Sequence, residues 1–218
     1  MAKFGLACEG ITDQIVIENI LCGFYQDLED DDIQPFQPPY DATTQKQQEG
    51  EFGGWEMLLE YLSQKRFRDD VLNSHYTVIQ IDTDICDHVN FGVPKDTSCI
   101  TTFIENVKLK LIASIDKNET FYEAYQEKII FSISVHSLEC WLLPICKDLK
   151  KEKITSCFEA LQRECKSIKV EKTYKIYDTL SKPLLKNKKL RTISSQNSSF
   201  KIFLDTLPKN LNQLQFDS

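Results

Sequence analysis

The sequence predicts an α/β fold: a mostly parallel sheet flanked by helices, followed by a helical C-terminal appendage. Three observations carry this reading. The chain opens with a short apolar segment, a glycine turn and an amphipathic helix. A β-branched run at 76–81 stops abruptly at two aspartates. Strand-like and helix-like segments then alternate up to residue 135, with no strong strand beyond. Such alternation is the mark of parallel strands joined by helices that cover the sheet.

Residues 4–8 are apolar and read as a buried strand ending at Glu9-Gly10. Thr12 or Asp13 can cap the next helix, where Ile15, Val16, Ile20, Leu21 and Phe24 recur at helical spacing. From 29 to 54 the period is lost to acids, Pro35, Pro38, Pro39 and a Gln/Thr/Lys stretch, with room for a short strand near Ile33. Polar loops of this length are uncommon inside a compact domain and are usually functional. Gly53-Gly54 precede a helix over 55–64 whose Met57, Leu58, Tyr61 and Leu62 share a face. The run 76–81 reads as a central strand ending in Asp82-Thr83-Asp84. A helix over 98–115, a strand over 129–135 and a helix over 140–146 complete an α/β domain spanning 1–146. The remainder, 147–218, is expected to be the appendage, with helices over 154–164 and 174–180.

A chain of 218 residues, 41% hydrophobic and 27% charged, can bury a substantial core. No apolar run approaches the roughly 20 residues that span a bilayer, and Glu9 interrupts the N-terminal apolar stretch at once. The expectation is a cytoplasmic protein without a membrane segment. Eight cysteines form no CxxC pair, which argues against zinc and for reduced, mostly buried thiols. A net charge of −7 excludes a general nucleic-acid coat protein. Residues 147–191 are nonetheless rich in lysine, which leaves room for an anionic partner or simply a solvated helical face.

Three acids fall where strand ends are expected to meet. Glu9 closes the first strand, and Asp82 and Asp84 close the central one. In open α/β sheets the working crevice lies beyond the carboxyl ends of the strands. Two like charges about 4 Å apart repel by roughly 4 kcal/mol at an effective dielectric of 20, so such a cluster keeps a proton or holds a cation. Oxygen-only ligands favour Mg2+ or Mn2+, the ions of phosphate-transfer chemistry. Taken separately, each motif also has a plain reading: ExxxD as a helix cap and DxD as an ordinary loop.

Cys8-Glu9-Gly10-Ile11-Thr12-Asp13 resembles the EGxTD/E opening of Toprim domains, and Ile81-Asp82-Thr83-Asp84 resembles their DxD motif. The resemblance covers roughly residues 1–145. A narrower likeness is to the RloB-type and OLD-type nuclease relatives of bacterial defence loci, through the stretch from Ser134 to Leu143 and through Asn197-Ser198-Ser199-Phe200. The resemblance implies a metal-dependent nuclease in which Glu9 is a ligand or general base and Asp82 and Asp84 hold Mg2+ (or Mn2+). Glu139 is a further catalytic acid by the same argument, while Asp13, Asp87 and His88 stand behind the ligands. Lys182, Lys186, Lys188 and Lys189 would position the phosphates of DNA or RNA without reading bases. Lys95 is not a secure match to the lysine found near many such sites. No GxxxxGK[ST] motif is present, so an ATPase or sensor partner would be a separate protein; a homo-oligomer is left open. His136, closing an apolar strand, reads as structural, and Trp141 as core. The runner-up reading is a catalytically silent Toprim-like module that docks a partner protein.

Overall fold

The structure is a computed structural model and describes residues 2–39, 54–149, 152–209 and 211. Four strands, β1 (Ala2–Ala7), β2 (Ile33–Gln37), β3 (Ser74–Asp82) and β4 (Ile129–Ser134), form one sheet in the order β2-β1-β3-β4. All its pairings are parallel. Parallel neighbours need crossovers, and helices supply them: α1 (Ile11–Phe24) after β1, α2 (Trp55–Ser63) and α3 (Lys65–Leu72) before β3, α4 (Ile100–Ile115) and α5 (Tyr122–Tyr125) before β4.

Period-two alternation divides the core. Tyr76 and Val78 of β3 enter one apolar cluster with Phe4, Leu6 and α1, while Ile79 and Ile81 enter the opposite one with α2, α3 and α4. A strand buried on both faces reads as an unbroken β-branched run rather than an alternating one, which is why 76–81 was conspicuous in sequence. α1 differs from expectation at its start. Gly10, not Thr12 or Asp13, is the N-cap, and its carbonyl accepts the Asp13 and Gln14 amides at 3.2 and 3.1 Å.

The C-terminal part is helical, as predicted. α6 (Glu139–Cys146), α7 (Cys157–Glu164), α8 (Tyr174–Ser181), α9 (Asn187–Ser194) and α10 (Ser198–Thr206) follow β4, with a 3-10 turn at Lys182–Leu185. Leu161, Tyr177, Leu184, Leu190, Phe200 and Phe203 join the same core as Phe4, Ile20 and Trp141. Among the described residues, the helices after β4 therefore share a core with the sheet. Gly23 makes this possible on α1, since a Cβ there would lie 1.9 Å from the Leu184 carbonyl oxygen. Trp141 is core, as expected: its ring stacks on Phe203 at 5.7 Å and its Nε1 donates to Ser199 Oγ at 2.8 Å.

The cysteine reading needs correction. Cys140–Cys157 and Cys146–Cys165 are disulfides, both tying α6 to α7, with Cα separations of 5.0 and 5.2 Å. Their partners lie 17 and 19 positions apart, and only the side-by-side packing of two short helices, start against start and end against end, brings them together. Cys8 and Cys86 are buried thiols, as expected. Among the described residues no helix is long and apolar enough to cross a membrane.

Candidate functional site

β1 and β3 run side by side with Ala7 opposite Ile79, so the chain leaves both strands at the same edge of the sheet. Glu9 and Asp82 meet there across some seventy positions of sequence. Gln80 fixes the pairing. It is fully buried, its Oε1 accepts the Glu9 amide at 3.4 Å and its Nε2 donates to Asp82 Oδ1 at 3.0 Å. Residues i and i+2 of a strand share a face, which lets one side chain hold the neighbouring carboxylate.

β4 adds the third wall. Ser134 pairs with Asp82, and the loop beyond it is sewn to the aspartate loop. The His136 amide donates to Thr83 Oγ1 at 2.7 Å, and its carbonyl accepts the Asp84 amide at 2.9 Å. The Leu138 amide donates to Asp82 Oδ1 at 3.0 Å. His136 holds φ at 69°, a left-handed conformation that costs a non-glycine residue energy unless its surroundings impose it. Its Nε2 accepts the Ser156 amide at 2.8 Å, so this histidine is structural, as the sequence suggested, and joins the loop to the segment before α7.

Glu139 opens α6 and is buried. It accepts the Tyr177 hydroxyl from α8 and pairs with Lys172 at 3.5 Å. Asp13 lies in the first turn of α1 with its carboxylate folded back on Gly10, where an added Cβ would sit 3.1 Å from Oδ2.

These groups act on one another. Burial, then the charges of Asp13 and Asp84, raises the Glu9 carboxyl well above its ordinary range. Burial and the charges of Asp13, Glu9, Glu139 and Asp84 raise Asp82 in the same way. Asp13 is pushed up to about 7, by burial first and Glu139 second. Glu139 goes the other way. Burial would raise it, but the Lys172 ammonium and the hydrogen bonds from Ser137 and Tyr177 outweigh burial and hold it below the usual value. The sign of each shift follows the positive charge and the donors within reach.

The structure thus brings together Glu9, Asp13, Asp82, Asp84 and Glu139. Asp87 and His88 lie further along the loop, exposed to solvent, with the His88 ring against Trp55 at 5.2 Å. Lys182 pairs with Asp178 at 3.1 Å, and Lys186, Lys188 and Lys189 lie beyond it in and before α9. The lysine whose charge reaches the acids is Lys172. Sequence reasoning missed three contributors: Lys172, Tyr177 and Gln80. Only Gln80 left a local signal, a polar residue inside an apolar strand two positions before Asp82.

Glu9, Asp82 and Asp84 are the oxygen donors a hard cation prefers. Glu9 Oε1 and Glu139 Oε2 are buried without a hydrogen-bond partner, a condition that is costly for an isolated carboxylate oxygen. In composition the residues fit a divalent ion. Among the described residues, however, no three His, Cys, Asp or Glu side chains stand as a ready-made group for one. Comparison with family models, curated proteins and solved structures finds no match.

Proposed function

We propose that this chain is a divalent-metal-dependent nuclease that hydrolyses nucleic-acid phosphodiester bonds, acting as an effector or subunit of a prokaryotic anti-phage system. The observation that supports the chemistry is the meeting of Glu9 with Asp82 and Asp84 at the carboxyl edge of two adjacent parallel strands. The Toprim-like motifs support the defence assignment. Glu9, Asp82 and Asp84 would hold Mg2+ or Mn2+, which supplies Lewis-acid stabilisation and an activated water when bound. Gln80 orients Asp82 through its amide. Glu9, whose carboxyl burial and neighbouring acids raise above its ordinary range, would take a proton from water. Any ATPase or sensor would be a separate protein.

The test is cleavage of plasmid, single-stranded DNA and total tRNA with Mg2+ and Mn2+, comparing wild type with Glu9→Gln and Asp82→Asn. Metal-dependent cutting lost in both variants is expected. Cutting that survives in EDTA would remove the mechanism.

One observation favours the second reading, a catalytically silent module. Lys172 already brings a positive charge to the acids, and a site compensated from within has less need of an ion. That reading expects no cleavage of any substrate and no effect of Mg2+ on stability.

A further inference from the structure

On the opposite face of the sheet from Lys172, α2 and α4 border a cavity of about 440 Å3. This is within the range of ligand sites, roughly 300–1,000 Å3. Trp55 lines it from α2, Lys110 from α4, Lys117 from just past the end of α4, and Asn90 from the loop after the aspartates. The Trp55 ring is half-buried. It meets His88 at 5.2 Å on one side and stands edge-on to Phe91 at 5.8 Å. Lys110 Nζ lies 5.9 Å from the centre of the same Phe91 ring. One aromatic ring, two lysines and an exposed amide therefore border the cleft, with Phe91 buried behind them.

This wall belongs to the acid site by position. The Gly54 amide donates to the Glu9 carbonyl at 2.7 Å, which fixes the start of α2 beside the strand end carrying Glu9. His88 lies four residues after Asp84 on the same loop. A chain crossing the acids would meet Trp55 and His88 next.

We propose that this cleft binds single-stranded nucleic acid, with an unpaired base stacked on Trp55 and the adjoining phosphates held by Lys110 and Lys117. The proposal rests on the reading of the acid site as one that acts on nucleic acid, and adds the form of the substrate. Base-on-aromatic stacking tolerates any sequence, because every base has a π-face. A duplex hides those faces within its own stack. Glu56 and Glu60 also border the cleft, on α2. They repel phosphate, so the strand's backbone is directed to the α4 side and its bases to the Trp55 side.

Binding is measured in EDTA, so that it is read apart from cleavage, with labelled oligothymidylate, its duplex with oligoadenylate, and thymidine monophosphate. Of the two tryptophans, Trp141 is fully buried, so quenching by bound bases reports Trp55. Expected are quenching by the single strand, a loss of affinity of roughly five- to hundredfold in Trp55→Leu, and weaker binding in Lys110→Gln with a log–log salt slope shallower by about 0.7. Binding of the single strand that leaves tryptophan emission unchanged would overturn the proposal. So would equal affinity in Trp55→Leu, tighter binding of the duplex, or equal binding of the free monophosphate. Stacking without cleavage under Mg2+ would uphold this site while removing the nuclease reading; cleavage without stacking would do the reverse.

Discussion

Tyr177→Phe removes one hydroxyl oxygen, and with it a hydrogen-bond donor, from a dry place and leaves the ring where it packs. Tyr177 is 1% exposed and Glu139 3%, so water cannot replace the lost donor at low cost. A hydrogen bond to a charged group contributes about 1.5–3 kcal/mol, and for a chain of this length each kcal/mol moves Tm by about 2–4 °C. The variant should therefore melt roughly 3–12 °C below the parent at pH 7. The pH dependence identifies the acceptor. Glu139 titrates below its ordinary value because Lys172, Ser137 and Tyr177 outweigh its burial. A depressed carboxyl contributes stability above its unfolded pKa, about 4.3, and loses it as pH falls through the folded value. The deficit of Tyr177→Phe should thus be full at pH 7 and shrink below about pH 4. Urea or thermal unfolding in EDTA at both pH values measures it. An equal deficit at pH 7 and pH 3 would refute an ionised acceptor, and no deficit at pH 7 would refute the bond itself.

Asp13→Asn should behave oppositely. Its carboxyl is pushed up to about 7, so its contribution is full below about pH 4 and is lost as pH rises through 7. The Asn variant should match the parent near pH 4 and exceed it by about 2 kcal/mol at pH 8, a share of a proton held jointly with neighbouring acids; a lower urea midpoint at pH 8 would contradict this. The denatured, unreduced chain should expose four reactive thiols, its eight cysteines less the four in disulfides. Reduction should cost about 3 kcal/mol for loops of this size, and eight thiols without reductant would show both bonds absent. Mg2+ should raise Tm in the parent and in Lys172→Met but not in Asp82→Asn, as read by melting with and without EDTA.

The sheet was legible because β3 and β4 announce themselves as β-branched runs and β1 as a short apolar one, and because glycine and paired acids mark where β1 and β3 end. β2 was faint: Pro35 and two glutamines interrupt its apolar pattern, and it forms at the sheet's edge, where proline is tolerated. α3 and α9 escaped notice because each is a short helix with many charged positions and few apolar ones. Their Phe67, Val71, Leu190 and Ile193 are buried by tertiary packing that no local period reveals. Glu9, Asp82 and Asp84 were legible for the same reason as the strands, since they stand at or just past strand ends. Lys172 and Tyr177 were not. They lie in a segment whose many lysines look alike in sequence, and only the fold distinguishes the one that reaches Glu139.

The site is divided electrostatically, and the division bears on what it can do. On one side Glu139 has an ammonium at 3.5 Å and the Tyr177 hydroxyl, and its carboxyl moves down. On the other, Glu9 and Asp82 have mostly one another, Asp13 and Asp84, and their carboxyls move up. One lysine cannot balance both halves. The half around Glu9 and Asp82 keeps a surplus of acids, which favours a proton or a cation there, and it lies at the meeting of two strands. A silent module has no reason to keep that half unsatisfied, because replacing one acid by an amide would relieve it. A metal-dependent catalyst would, since the repulsion that costs stability would also favour binding of an ion. The comparison of Asp82→Asn with Lys172→Met separates the two cases, because the first change removes a carboxylate while the second leaves every carboxylate in place and removes only the positive charge that reaches them.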